Sequence, residues 1–270
     1  MTLVEPAVRA VATEDVRFRV DAVAALFVRE WRVFRRVWRS LVFGSVVEPI
    51  VYLLAFGYGF GALVADVAGL PYLDFMATGA AGIGVLFTGF FPGLIDGYFR
   101  RKENHLYGGL LSTPITVAEL VTGEALWTGV RAAGTAAVTL TVAALFGVGF
   151  APTVVLAPLI GLVGGFGFAC LGAIFAARLK STHQFTFVIA GFVVPMFAVA
   201  GSFFPLDTAP AWLRLPAQLN PVTHVVELFR AVAFAQTSLV QLLASLAVVL
   251  GFAALAWWVA VRQLSRAMTG

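Results

Sequence analysis

The residue types that carry most enzyme chemistry are thinly spread along this chain, and none stands in a spacing that would put it to work. The only lysines, Lys102 and Lys180, follow Arg101 and Leu179 rather than glycine. A phosphate-cradling loop needs GxxxxGK[ST], whose glycines let backbone N–H groups approach the phosphates, so the chain holds no ATP-hydrolysing site of its own. His105, His183 and His224 fall at the ends of apolar runs or between them, and HExxH and GxSxG do not occur. Cys170 is the single cysteine and lies inside an apolar run, which excludes a disulfide framework or a cysteine metal cluster within one chain. These patterns point away from an enzyme, a metal centre and a resident cofactor. What remains is a polar island, Asp96–Glu119, with the sequence DGYFRRKENHLYGGLLSTPITVAE, set between two long apolar runs. Residues Arg101 to Leu111 can form a short helix in which Leu106, Leu110 and Leu111 offer apolar contacts. Ser112, Thr113 and Pro114 end it, because the residue before proline avoids helical backbone angles. A small amphipathic knob of this kind suits a groove on a partner, whereas a plain connecting loop would be polar throughout.

The elements that must hold this island are membrane spans. Hydrophobic residues make up 60% of the 270 positions and charged residues 12%, with a mean hydropathy of +0.94. An average soluble domain is about a quarter charged. Apolar runs of bilayer-crossing length fall at 41–61, 72–94, 120–146, 154–177, 185–203 and 239–261. The expectation is an all-α membrane protein whose six transmembrane helices occupy residues 40–270, behind a mobile cytoplasmic tail over residues 1–19. The first 40 residues carry eight arginines before any long apolar run, so no cleavable signal peptide is expected.

Residues 20–39 read as an amphipathic interface helix. At about 100° per residue, Val23, Phe27, Trp31, Phe34 and Trp38 fall in one arc and Arg29, Arg32, Arg35, Arg36 and Arg39 in another. The helix suits a membrane surface, with indole rings at headgroup depth and guanidinium groups on lipid phosphates. A helix that packs on a protein partner is the other reading of the same arc.

Charge orients the spans. The N-terminal arm, the island with Arg100, Arg101 and Lys102, the loop with Arg178 and Lys180, and the tail with Arg262 and Arg266 are all basic and should share a side. The opposite segments hold Asp66, then no charge, then a balanced set of Asp207, Arg214, Glu227 and Arg230. The positive-inside rule places both termini in the cytoplasm, and positive charge dispersed in this way is topology rather than a nucleic-acid surface. Glu48 and Arg131 are the charges inside spans, each on the order of 10 to 14 Å from the cytoplasmic boundary. They either pair, or Arg131 reaches the headgroups while Glu48 faces a wet cavity. On the outer side, GSFFPLDTAPAWLRLPAQLNPVTHVVELFRAV is apolar enough to enter the bilayer, but its prolines divide it into pieces too short to cross, so re-entrant helices are expected. Glu227 and Arg230, three residues apart, either bridge on one helix face or stand solvated at the surface.

Taken together, the basic amphipathic helix, the EPIVYLLAFGYGFG run from Glu48 to Gly61, LLSTPIT after a charged segment, SFFPLD, and NPVTHVVELFR from Asn220 to Arg230 resemble type-2 ABC exporter permeases. The likeness covers the chain from about Val20 onward and is strongest to the nodulation-factor (lipo-chitooligosaccharide) export permeases and the daunorubicin-type drug and glycolipid exporters. The resemblance implies six spans, an interface helix, a cytoplasmic coupling helix at Asn104 to Leu111 that includes His105, and an extracytoplasmic re-entrant hairpin at Pro210 to Phe234 that includes Asn220, Pro221 and His224. It implies two permease subunits, as a homodimer or with a close paralogue, held by two cytoplasmic ATPase subunits that carry the ATP and Mg, with Lys180 as a second contact. It also implies residence among the lipids of a bacterial plasma (inner) membrane and outward movement of a lipid-like, glycolipid or hydrophobic drug substrate. The alternative is an ion-coupled secondary transporter or channel without an ATPase.

Overall fold

The computed structural model describes residues 18–61, 66–67, 69–206, 209–235 and 237–269. Residues 1–17 of the expected tail, and Asp207 of the outer segment, lie outside the described residues. Within them regular structure is helical apart from a two-strand hairpin, β1 (Asp66–Val67) against β2 (Leu70–Pro71), paired antiparallel.

Helix α1 (Val20–Tyr52) joins the expected interface helix and first span into one element that runs on into a π-helical stretch, Leu53–Phe60. Its halves, Val20–Ser40 and Val42–Gly57, meet at 51°. Helix α2 (Tyr72–Phe91) continues through a π-helical stretch, Pro92–Asp96, into α3 (Gly97–Lys102). Pro92 has no N–H to donate, and a locally widened helix accommodates that loss without ending the path. Residues Asp96 to Lys102, read from sequence as the start of the island, are therefore the last turns of this long helix. The chain reverses at His105, whose φ of 50° is left-handed, and forms α4 (Leu106–Leu111). The expected short helix from Arg101 is thus broken in two.

Helix α5 (Val117–Leu145) opens on a capping box. The Thr116 N–H donates to the Glu119 carboxylate at 2.8 Å and the Glu119 N–H donates to Thr116 Oγ1 at 3.2 Å, satisfying two donors that a helix start leaves orphaned. A 3-10 turn (Pro152–Leu156) leads into α6 (Ala157–Arg178). Helix α7 (Gln184–Val188), a π-helical turn (Ile189–Val193) and α8 (Val194–Ala198) follow as one apolar stretch, Gln184–Ala198. It is shorter than the expected 185–203 span. Helices α9 (Ala211–Leu219) and α10 (Pro221–Phe234), joined through Asn220, precede α11 (Leu239–Thr269). Among the described residues, four paths are long and apolar enough to cross a membrane, Tyr72–Lys102, Val117–Leu145, Pro152–Arg178 and Leu239–Met268, with bent α1 as a fifth.

Small residues let these helices approach closely, which is how association is achieved where lipid removes the hydrophobic drive. A Cβ at Gly129 of α5 would stand 2.6 Å from the Leu162 carbonyl oxygen of α6, and one at Gly161 would stand 2.9 Å from the Ala133 Cα. Helix α10 is buried through Val222, Val225, Val226 and Phe229 against Val85, Phe90 and Phe168. A second cluster unites Leu26, Tyr107, Leu120, Cys170 and Leu264. The N-terminal half of α1, α4, the start of α5 and the C-terminal part of α11 therefore meet at one end of the bundle.

Candidate functional site

At this end the charges of α1, α3 and α5 converge on a joint that sequence reading did not single out. Glu30 is 5% exposed. Arg100 grips it with both guanidinium arms, Nη1 standing 2.9 Å from Oε1 and Nη2 donating to Oε2 at 3.0 Å. The same Nη1 donates to Glu124 of α5 at 2.7 Å. Arg29 donates to Glu30 and, at 3.1 Å, to Glu124. Tyr107 of α4 donates its hydroxyl to the second Glu124 oxygen at 2.5 Å. Two guanidiniums and two carboxylates thus neutralise one another around the buried Glu30, with the other three members partly exposed.

Around the joint, further bonds fix the neighbouring segments. Arg101 Nη2 donates to the carbonyls of Ala176 at 2.7 Å and Leu179 at 3.0 Å, capping the C-terminus of α6. The Tyr98 hydroxyl reaches the Lys180 carbonyl at 3.4 Å. The backbone N–H of Arg19 donates to Glu119 at 2.6 Å, tying the start of α1 to the start of α5. Among the described residues, the start of α1, the island, the end of α6 and the tail of α11 meet at this end of the bundle.

The residues proposed from sequence fall around this frame. Asn104, His105 and Leu106 are exposed, as is Lys180, while Leu110 and Leu111 are half-buried. Leu110 packs against the cluster that holds Tyr107, so it supports α4 as well as offering a contact. On α1, Phe27, Trp31 and Phe34 all ring Trp127 of α5, with centroids 5.2, 5.9 and 5.5 Å away. Protein packing therefore claims much of the aromatic arc assigned to lipid. Trp38 and Arg35 stay exposed, but Arg29 leaves the expected arginine arc to join the joint. The buried face of α1 is Ala22, Val23, Leu26 and Glu30, rotated from the expected arc because Glu30 is drawn inward by two arginines.

Two proposed charge pairs do not form among the described residues. Glu48 is exposed on α1, whereas Arg131 lies beside Asp96, Glu30 and Arg100. Glu227 and Arg230 also choose other partners. Arg230 donates to the Gly201 carbonyl at 2.7 Å and lies 3.8 Å above the Phe75 ring. Glu227 accepts from Ser245 of α11 at 2.7 Å and stands 3.3 Å from His224. The hydrogen bond to Glu227 raises the His224 pKa above its usual value against the opposing effect of burial. Asn220 caps α10 by accepting from the Val222 N–H at 3.1 Å and donates to the Met196 carbonyl at 2.6 Å, with Pro221 in the first turn.

Among the described residues the chain is a multi-pass helical bundle with a mutually neutralising charged joint at one end, the architecture of a membrane permease. The chain belongs to the ABC-2 type transporter family, which matches residues 21–234. Nodulation protein J of Sinorhizobium fredii is 31% identical over 209 residues, 76% of this chain and 79% of that protein. Nodulation protein J of Neorhizobium galegae is 26% identical, with 82% and 84% covered. The inner membrane transport permease YadH of Escherichia coli is 23% identical, with 77% and 81% covered. The chain is thus the non-catalytic transmembrane subunit of an ATP-driven exporter, and its family implies a separate ATPase.

Proposed function

We propose that this permease moves an amphiphile, of the lipo-oligosaccharide kind or a related glycolipid or hydrophobic drug, from the inner leaflet outward across a bacterial inner membrane. Two copies, or one copy and a close paralogue, face each other, each held by one ATPase subunit, and both termini lie in the cytoplasm. The bent α1 and the short Gln184–Ala198 stretch supply the first and fifth of six spans, with α9 and α10 re-entering from the outer side. ATP and Mg belong to the ATPase subunits.

The observation that carries the mechanism is the joint of Arg29, Glu30, Arg100 and Glu124. Helix α4 presents Leu106 outward while Tyr107 reaches back to Glu124. A push on α4 is therefore delivered through Tyr107 to α5, and through Arg100 to α1 and the end of α2 together. Rigid helices then rock as bodies, because packed contacts shift between discrete arrangements rather than bending continuously. Asn104, His105, Leu106 and Lys180 are the exposed groups the ATPase grips, with Leu110 and Leu111 shaping the knob beneath them.

Co-purification tests the reading. Leu106→Asp, at an exposed position, should abolish capture of the cassette ATPase by the tagged permease while leaving membrane insertion and melting temperature unchanged. Capture at the unaltered level would remove α4 as the coupling element.

A further inference from the structure

Two turns deeper than Glu124 along α5, Arg131 stands at the wall of an open groove of about 370 Å³. Seven residues of helix place it roughly 10 Å further into the bundle than the joint. Asp96, from the π-helical end of α2, lines the same groove, and each of the two lies within the electrostatic reach of the other. Neither makes a hydrogen bond or an ion pair among the described residues. Glu30 and Arg100 also reach the groove, but each is already engaged in the joint. The remainder of the lining is apolar: Val33, Phe34 and Val37 of α1 on one side, Phe91 and Ile95 on the other.

Arg131 is half-buried and Asp96 exposed, so the groove offers two charges of opposite sign that form no ion pair with each other and stand open to a ligand. A purely anionic ligand would meet Arg131 but be repelled by Asp96, and a purely cationic one the reverse. A head group carrying both a phosphate and an ammonium satisfies both at once, and the flanking valines and phenylalanines take acyl chain.

We propose that this groove is a binding site for the head group of a zwitterionic phospholipid-type amphiphile, with the phosphate on Arg131 and the ammonium on Asp96. The assignment rests on the reading of the chain as a lipid-handling permease and gives that reading a first holding site, below the level where bilayer head groups normally rest. The lipid is either a resident of the membrane or the cargo itself, and the head-group chemistry is common to both.

Native mass spectrometry of the full-length chain, delipidated and supplied with phosphatidylethanolamine or phosphatidylglycerol, tests it. The wild-type chain should retain phosphatidylethanolamine about tenfold better, the scale of one charge-assisted hydrogen bond. Arg131→Gln should lose both lipids. Asp96→Asn should keep phosphatidylglycerol and lose the discrimination. Equal retention of both lipids by the wild-type chain would overturn the assignment, as would a neutral glycolipid bound as tightly as phosphatidylethanolamine. So would either variant melting normally yet binding like wild type. Should a variant not fold, displacement of phosphatidylethanolamine from wild type by soluble phosphoethanolamine, but not by inorganic phosphate, decides the question alone. Stimulation of ATP hydrolysis by the bound lipid marks it as cargo and retention without stimulation marks it as resident, and both fit the site. Unaltered ATPase capture in the α4 experiment would strike the coupling mechanism and leave this head-group assignment standing.

Discussion

Arg100 is the residue on which the joint turns, since it alone binds Glu30 through both arms and also reaches Glu124. Arg100→Ala should cost about 3 kcal/mol, because it leaves the buried Glu30 with Arg29 alone and the partly exposed Glu124 with Arg29 and the Tyr107 hydroxyl. Arg100→Lys should recover only part of this, since an ammonium cannot reproduce the planar fork. Thermal melting of the permease in detergent measures the first effect, and ATP hydrolysis by the assembled transporter shows whether coupling falls with it. Little of this was legible in the linear order of residues. Glu30 sits among arginines in a helix whose period is dominated by aromatic side chains, so it reads as one more surface charge. One partner, Arg29, is its neighbour in the chain, but the other, Arg100, is 70 positions away, and no local spacing announces that meeting. Glu48 and Arg131 failed as a pair for the converse reason: similar depth in the membrane does not fix which way a helix is rotated.

At the level of elements, the α5 and α6 seam makes a contrast that separates space from helix propensity. Gly161→Ala places a methyl group against the backbone of α5 and should cost about 1–3 kcal/mol through overpacking. Gly134→Ala, in α5 itself, meets nothing within 4 Å and should stabilise by up to about 1 kcal/mol, because alanine loses less backbone freedom than glycine on entering a helix. Melting curves of the two variants should therefore shift in opposite directions. Periodicity and length made the long apolar helices visible, and the glycine-rich α6 announced close contact. Their ends were less visible. Pro92 is absorbed by a π-helical stretch, so α2 and α3 carry Asp96 and Arg100 onward as helix beyond the expected end of the span at 94. The short helix ends at Leu111, ahead of Ser112, Thr113 and Pro114 as expected, but its start is set by the left-handed backbone of His105, which the sequence reading did not single out.

For the whole molecule, composition and charge distribution already established a helical membrane unit with its basic segments at one end. The family features lay in the order of several loose motifs rather than in any one. What required three dimensions was the joint of mutually compensating charges, through which, in the mechanism proposed above, α4 would move the spans. That compensation has an electrical consequence. Arg29 and Arg100 against Glu30 and Glu124 sum to zero, so a rocking stroke that displaces the joint carries no gating charge. Each uncompensated elementary charge crossing a potential of about 100 mV would add or remove roughly 2.3 kcal/mol. Transport in proteoliposomes should therefore run at the same rate whether the interior is clamped negative, positive or neutral with valinomycin and potassium. Arg100→Met, which leaves one negative charge unbalanced, should acquire a voltage dependence, and a wild-type rate that changes with the clamp would show that other charges ride with the stroke.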